Sequence, residues 1–160
     1  MKQVCMILAV FALCLAVPGW MLAQDNPAIG TWKLNVEKSK YNGIPEPKSL
    51  TRTVAADGDS VKYSFEGTSA DGAALNYSFT VKYDGKDYPV TGSGMPYAAD
   101  SISIKRIGSN KFSATLKKGG KTVGTSTSVV SKDGKTVTLT GKGTDASGKA
   151  VSSTQVYDKQ

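Results

Sequence analysis

Two of the 20 basic residues stand apart, because Arg52 and Arg106 are the only arginines among the lysines. Arg52 shares parity with Leu50 and Val54, and Arg106 with Ile102 and Ile104, so alternation along a strand turns both side chains toward the apolar face. A guanidinium stays charged at any ordinary pH, and burying it alone costs several kcal/mol. Each arginine therefore needs a carboxylate, carbonyls, water or a ligand anion beside it. Two arrangements satisfy this need. In one, each arginine ends the buried part of its strand, with Arg106 reaching a rim or pairing with Asp100. In the other, the two form an interior anion site for the acidic head of an amphipathic ligand, since the planar fork of arginine suits a carboxylate or phosphate.

Other chemistries are short of residues. The chain has no histidine, and its two cysteines, Cys5 and Cys14, fall in the first 23 residues. Without them there is no Cys/His zinc site, cysteine nucleophile, Ser-His-Asp triad or disulfide staple; no metal or cofactor is expected. Carboxylates alone can perform acid and base catalysis. Yet Asp57, Asp59, Asp71, Asp84, Asp133 and Asp145 sit at turn positions, where aspartate has a conformational role. Only Asp100 shares the inward parity, and one acid does not make an active site. No catalytic residues are assigned.

Residues 1–23 read as a secretory signal peptide. Lys2 supplies a basic start, Val4 to Val17 is uninterrupted and apolar, Pro18-Gly19 breaks the run, and Ala23 suits the last position before cleavage. The run is shorter than the ~20 residues that span a bilayer, so no stable membrane insertion is expected after the signal is removed. Cys14 follows Phe11-Ala12-Leu13, where a lipoprotein cut wants small residues. The expectation is an exported protein, periplasmic or extracellular, with one domain over residues 24–160.

The elements that must position the arginines are strands. Gly30-Thr31-Trp32-Lys33-Leu34-Asn35 alternates apolar and polar residues and opens the series. From Leu50 to Tyr157 the chain repeats a short alternating run followed by a tight turn of Asp-Gly, Gly-Gly, Ser-Asn or Ser-Gly type. Tyr63 and Phe65, then Leu75, Tyr77, Phe79, Val81 and Tyr83, then Phe112, Ala114 and Leu116 fall on inward positions. About ten strands result, almost without helix, in an antiparallel up-and-down meander. Tyr88-Pro89-Val90 reads as a short strand that its proline confines to an edge or end. Residues 37–48, with Pro45, Pro47 and Gly43, read as the longest loop, either functional or a strap in which Tyr41 and Ile44 plug a barrel end. A meander of this length exposes edges unless it closes, so Gly30–Asn35 is expected to pair near Gln155–Tyr157.

Gly30-Thr31-Trp32-Lys33-Leu34 at the start and Val156-Tyr157-Asp158-Lys159 at the end resemble the calycin barrels, the lipocalins and intracellular fatty-acid-binding proteins. Tyr83 to Gly92 and Ser131 to Thr136 resemble exported bacterial lipocalin-like proteins of uncharacterised function. The resemblance implies a barrel closed by Trp32 and Tyr157 and a small apolar ligand inside. It also implies a last-strand arginine over the tryptophan, or an Arg-x-Tyr holding a ligand carboxylate, but this chain has Gln155-Val156-Tyr157 there. The helical lid of the fatty-acid binders is absent as well. Trp32 itself reads as a core plug.

The candidate interior ligand residues are thus Arg52, Arg106, Tyr63, Tyr77, Phe79 and Phe112. Gly67, Gly92, Ala114 and Gly141 would leave room, whereas the aromatic residues take it away. Two functions remain open: an exported binding protein for a small apolar or amphipathic molecule, anionic amphiphiles included, and a structural or interaction protein with a filled core. The net charge of +7 is spread over many strands and turns, with its densest group, Lys117 to Lys121, at a hairpin tip. That pattern fits a solvated surface rather than a nucleic-acid site. A monomer is expected.

Overall fold

The computed structural model describes residues 26–145 and 147–160, so the expected signal peptide lies outside the described residues. Eleven strands form one antiparallel sheet: β1 (Gly30–Asn42), β2 (Ser49–Asp57), β3 (Ser60–Thr68), β4 (Ala74–Val81), β5 (Tyr88–Pro89), β6 (Thr91–Ser93), β7 (Ser101–Arg106), β8 (Lys111–Lys118), β9 (Lys121–Val130), β10 (Thr136–Thr144) and β11 (Ala150–Lys159). Their order is β5-β7-β8-β9-β10-β11-β1-β2-β3-β4-β6. The sheet curls into a nearly closed barrel. A turn of 3-10 helix, Pro96–Ala98, is the sole helical element among the described residues.

Alternation in the sequence becomes alternation in burial. On β2 the buried residues are Leu50, Arg52 and Val54; on β3, Tyr63 and Phe65; on β4, Tyr77, Phe79 and Val81. One inner face therefore carries the whole core. First and last strands pair as closure requires, with Trp32 opposite Lys159, Leu34 opposite Tyr157 and Asn35 opposite Val156.

The 37–48 segment differs from the expected loop, because β1 continues through Asn42 and only residues 43–48 connect it to β2. The prolines restrict the chain only near their own positions, after the strand has ended. Before that point a bulge takes up the irregularity between Asn35 and Lys40, and pairing resumes with Lys40 opposite Thr154. Ser39 holds the bulge. Its hydroxyl donates to the Asn35 carbonyl at 2.7 Å and accepts from the Val156 amide at 3.0 Å.

The two ends of the barrel are closed differently. At the Trp32 end, residues 26–29 cross the opening: Asn26 Nδ2 donates to the Tyr83 hydroxyl at 2.9 Å, and Trp32 Nε1 donates to the Ala28 carbonyl at 2.9 Å. Trp32 and Ala28 are fully buried. At the other end lie Ile44 and the connection from β6 to β7. Between β4 and β7 the sheet has its single seam. Residues 84–90 run along β7, through the Asp84–Lys105 bridge and the Val90 amide donating to Asp100, and β6 then lies against β4.

Candidate functional site

The inward side chains do not fill the barrel. A cavity of about 120 Å³ lies behind the mouth formed by Ile44, Met95 and Tyr97. Its two sides differ in chemistry because different strands supply them. On β3 and β4 the cross-strand partners Phe65 and Tyr77 stack at 4.6 Å between ring centres, and Tyr63 and Phe79 at 5.0 Å. On β9, β10 and β11 the lining carries the polar Ser126, Ser128, Ser153 and Gln155 beside Leu139, Gly141 and Tyr157. One wall is thus aromatic and the facing strands are hydroxylated.

Arg52 is the one charged residue lining the cavity. Register fixes it between Trp32 on β1 and Phe65 on β3, and it is only 2% exposed. Its guanidinium carbon stands 5.2 Å from the centre of the Tyr63 ring. Its Nε and Nη1 are buried without a hydrogen-bond acceptor, and no carboxylate of the described residues forms an ion pair with it. Cation–π attraction contributes roughly 2 kcal/mol when desolvated, which leaves much of the desolvation cost of a lone guanidinium unmet. Ser128 Oγ, also on the lining, is likewise buried without a partner.

The phenols around this charge remain neutral. Burial pushes the Tyr63, Tyr77 and Tyr157 hydroxyls well above the ordinary value of 10, and the positive charge of Arg52 opposes that rise in each case. Burial, then the nearby Glu46 carboxylate, push Tyr41 up to about 12. Tyr63 and Tyr83 share a hydroxyl hydrogen bond of 2.7 Å, while the Tyr157 hydroxyl donates to Gln155 Oε1 at 2.6 Å. Tyr157 is 1% exposed and closes the wall beside Leu34.

The structure brings together Arg52, Tyr63, Tyr77, Phe79 and Phe112, all of which line the cavity. Arg106 is not among them. Alternation was expected to turn it inward, but β7 ends at this residue and the side chain is exposed. Its Nε donates to the Gly108 carbonyl at 3.2 Å and Nη2 to the Ser109 carbonyl at 2.5 Å, so it braces the turn to β8. Its guanidinium lies 5.8 Å from the centre of the Phe112 ring, its cross-strand partner. A two-arginine anion site is therefore not formed. Nor does Arg106 pair with Asp100, whose carboxylate is exposed and accepts from the Gly119 amide at 2.7 Å.

Two features of the site lay beyond the sequence reading. Tyr97 and Ala98 adopt left-handed backbone conformations, with φ of 59° and 50°, in the strap over the mouth. The Tyr97 ring rests in a trough of missing side chains: a Cβ on Gly124 would stand 2.6 Å from it, and one on Gly143 2.8 Å. Gly124 and Gly143 are cross-strand partners, so the trough is built by register. Among the glycines expected to leave room, Gly141 does line the cavity, as does Ala114. Gly67 and Gly92 instead admit close backbone contact, since a Cβ on either would stand 2.1 Å from a carbonyl oxygen of the adjacent strand.

The lining contains no Asp or Glu and hence no acid–base pair, and no cluster of metal-ligating side chains occurs among the described residues. The site offers apolar surface, hydroxyl groups and one cation without a carboxylate partner.

No protein-family model matches the chain, and no curated protein matches it in sequence. Solved structures do match. Zebrafish ileal bile acid-binding protein complexed with cholic acid is 13% identical and superposes with a TM-score of 0.51, over 84% of this chain and all of that one. A redesigned β-barrel bound to DFHBI is 11% identical with a TM-score of 0.44, over 86% and 97%. The siderocalin Ex-FABP is 11% identical with a TM-score of 0.39, over 84% and 71%. With its eleven antiparallel strands and its pairing of β1 with β11, the chain has the calycin-type β-barrel fold of which the bile acid-binding protein is an example.

Proposed function

We propose that this protein is an exported binding protein that holds a small apolar or amphipathic molecule inside its barrel and performs no chemistry on it. The observation that carries the reading is the cavity behind the Tyr97 strap, walled by aromatic side chains and furnished with a few polar groups. This is the usual composition of a small-molecule site. A core selected only for stability would be packed without voids larger than a water molecule. Export rests on the apolar run from Val4 to Val17 and its flanks. N-terminal sequencing of the protein from its own cells tests export, with a start near Gln24 expected.

The rival reading is a filled barrel that serves as a structural or interaction module. The cavity volume favours it, since about 120 Å³ is well below the ~300 Å³ at which sites for drug-sized ligands begin. Native mass spectrometry of protein purified from its own compartment separates the two. A retained small molecule supports the binding protein, and repeatedly unoccupied spectra support the filled barrel.

A further inference from the structure

We infer that the cavity is a receptor for a compact cyclic monoanion, a carboxylate carried on a single aromatic ring, with its charge placed on Arg52. This rests on the reading of the cavity as a ligand site and deepens it by naming the ligand class. Three observations converge.

The first is the unmet charge. Arg52 is 98% withdrawn from solvent by its 2% exposure, two of its nitrogens have no acceptor, and it lines the cavity. A cation so placed is strongly disfavoured unless a counter-charge joins it, and an anionic ligand supplies that charge. A carboxylate is the complementary group, because its two oxygens accept from two guanidinium N–H groups at once. The site discriminates strongly for the same reason: a neutral ligand of equal shape leaves the buried donors unpaired.

The second observation is size. A cavity of about 150 Å³ lined by apolar residues accommodates benzene, and the volume here is about 120 Å³. The cavity is somewhat smaller than that, so a benzene ring bearing one small acid group enters with a small outward shift of the Tyr97 strap, whereas a long acyl chain needs a large one.

The third is the chemistry of the walls. The stacked pairs Phe65–Tyr77 and Tyr63–Phe79 present ring surface suited to a flat apolar ligand. Ser128 Oγ, buried without a partner, is available to a polar substituent on the ring. Nothing on the lining is negatively charged, so an anion meets no repulsion.

The test is calorimetric titration of the full mature protein with benzoate, with benzamide as its neutral analogue of similar shape, and with dodecanoate as a long acid. Each is measured on the parent and on Arg52→Gln, Arg52→Met and Arg106→Gln. Arg106→Gln removes one positive charge from the exterior and controls for net charge; the second Arg52 variant and circular dichroism guard against a misfolded variant. The expected result is that the parent binds benzoate at least tenfold more tightly than benzamide, that both Arg52 variants reduce this preference to about twofold or less, and that Arg106→Gln retains it. Equal binding of benzoate and benzamide by the parent, or a preference that survives in the folded Arg52 variants, overturns the anion receptor while leaving a small-molecule barrel intact. Dodecanoate binding more tightly than benzoate overturns the size assignment. Failure of the parent to bind any of the three, with a neutral molecule retained in native mass spectra, overturns the inference alone. The same failure with no retained molecule overturns the underlying reading too.

Discussion

The ammonium of Lys159 stands 5.1 Å from the centre of the Trp32 ring, and the two residues are register partners across the line where the last strand meets the first. The stem of Lys159 reaches this place because Gly30 has no side chain; a Cβ there would lie 3.1 Å from Lys159 Cε. Gly30 also has a φ of 138°, which L side chains rarely adopt. Lys159→Ala should therefore lower stability by about 0.5–1 kcal/mol, the range for an exposed cation–π contact. Gly30→Ala should cost more, about 2 kcal/mol, through both backbone and contact. Urea unfolding followed by Trp32 emission measures both. In the folded parent that emission should lie well to the blue of free indole in water, since Trp32 is fully buried.

Removing the buried charge should stabilise the unliganded protein. Arg52→Met keeps the length of the side chain and removes a guanidinium that lacks a counter-charge, so the unfolding free energy should rise by about 1 kcal/mol. A fall of that size in urea titrations would show that Tyr63 and interior water already satisfy the charge.

The strap should report its strain. Ala98 has a φ of 50°, so Ala98→Gly should be neutral to stabilising by about 1 kcal/mol, while Ala98→Val should destabilise by about 1–2 kcal/mol. Gly124→Ala places a methyl group against the Tyr97 ring, 2.6 Å from it, and should displace the strap from the mouth. A rise in the fluorescence of a hydrophobic dye, without loss of the far-ultraviolet spectrum, is the expected sign.

Stability should fall steeply on the alkaline side. In the unfolded chain the tyrosines ionise near 10, whereas in the folded protein burial lets Tyr41 hold its proton to about 12 and pushes Tyr63, Tyr77 and Tyr157 well above 10. Below pH 10 both states are protonated and the contribution of these residues is fully present and independent of pH. Above it the unfolded state alone loses protons and is favoured, so the stability they contribute is lost as pH rises through 10 to 12 and further. No histidine is present to add a transition near neutrality. Urea midpoints measured from pH 6 to 12 should be level to about 9 and then drop. Tyrosinate absorbance should appear together with unfolding.

Much of the fold was legible because burial on one face imposes a period of two, and Leu75 to Tyr83 states that period without interruption. The pairing of β1 with β11 followed from closure alone. The irregular parts were not legible for physical reasons. The bulge at Ser39 depends on a hydroxyl bonding to residues 35 and 156, a long-range contact with no local signature. Arg106 satisfied the inward parity, but parity says nothing about where the barrel ends. The cation over Trp32 was sought at Gln155, whereas register delivers Lys159. Gly124 and Gly143 sit on different strands and become a single trough only when those strands pair. Arg52 was found by its residue type and parity, and the lack of a partner became visible only in three dimensions.

The seam between β4 and β7 gives the barrel the mechanics of a split ring. A closed hoop resists any change in circumference because every rung must stretch, whereas a slit hoop flexes by widening its gap. Here the slit is laced by the chain itself, which passes from β4 to the β7 lip by Asp84, returns to the β4 lip after Val90, and reaches β7 again through residues 94–100. Changes in girth should concentrate there, so amides of residues 84–93 should exchange with solvent deuterium faster than those of β10 and β11 on the opposite side of the hoop.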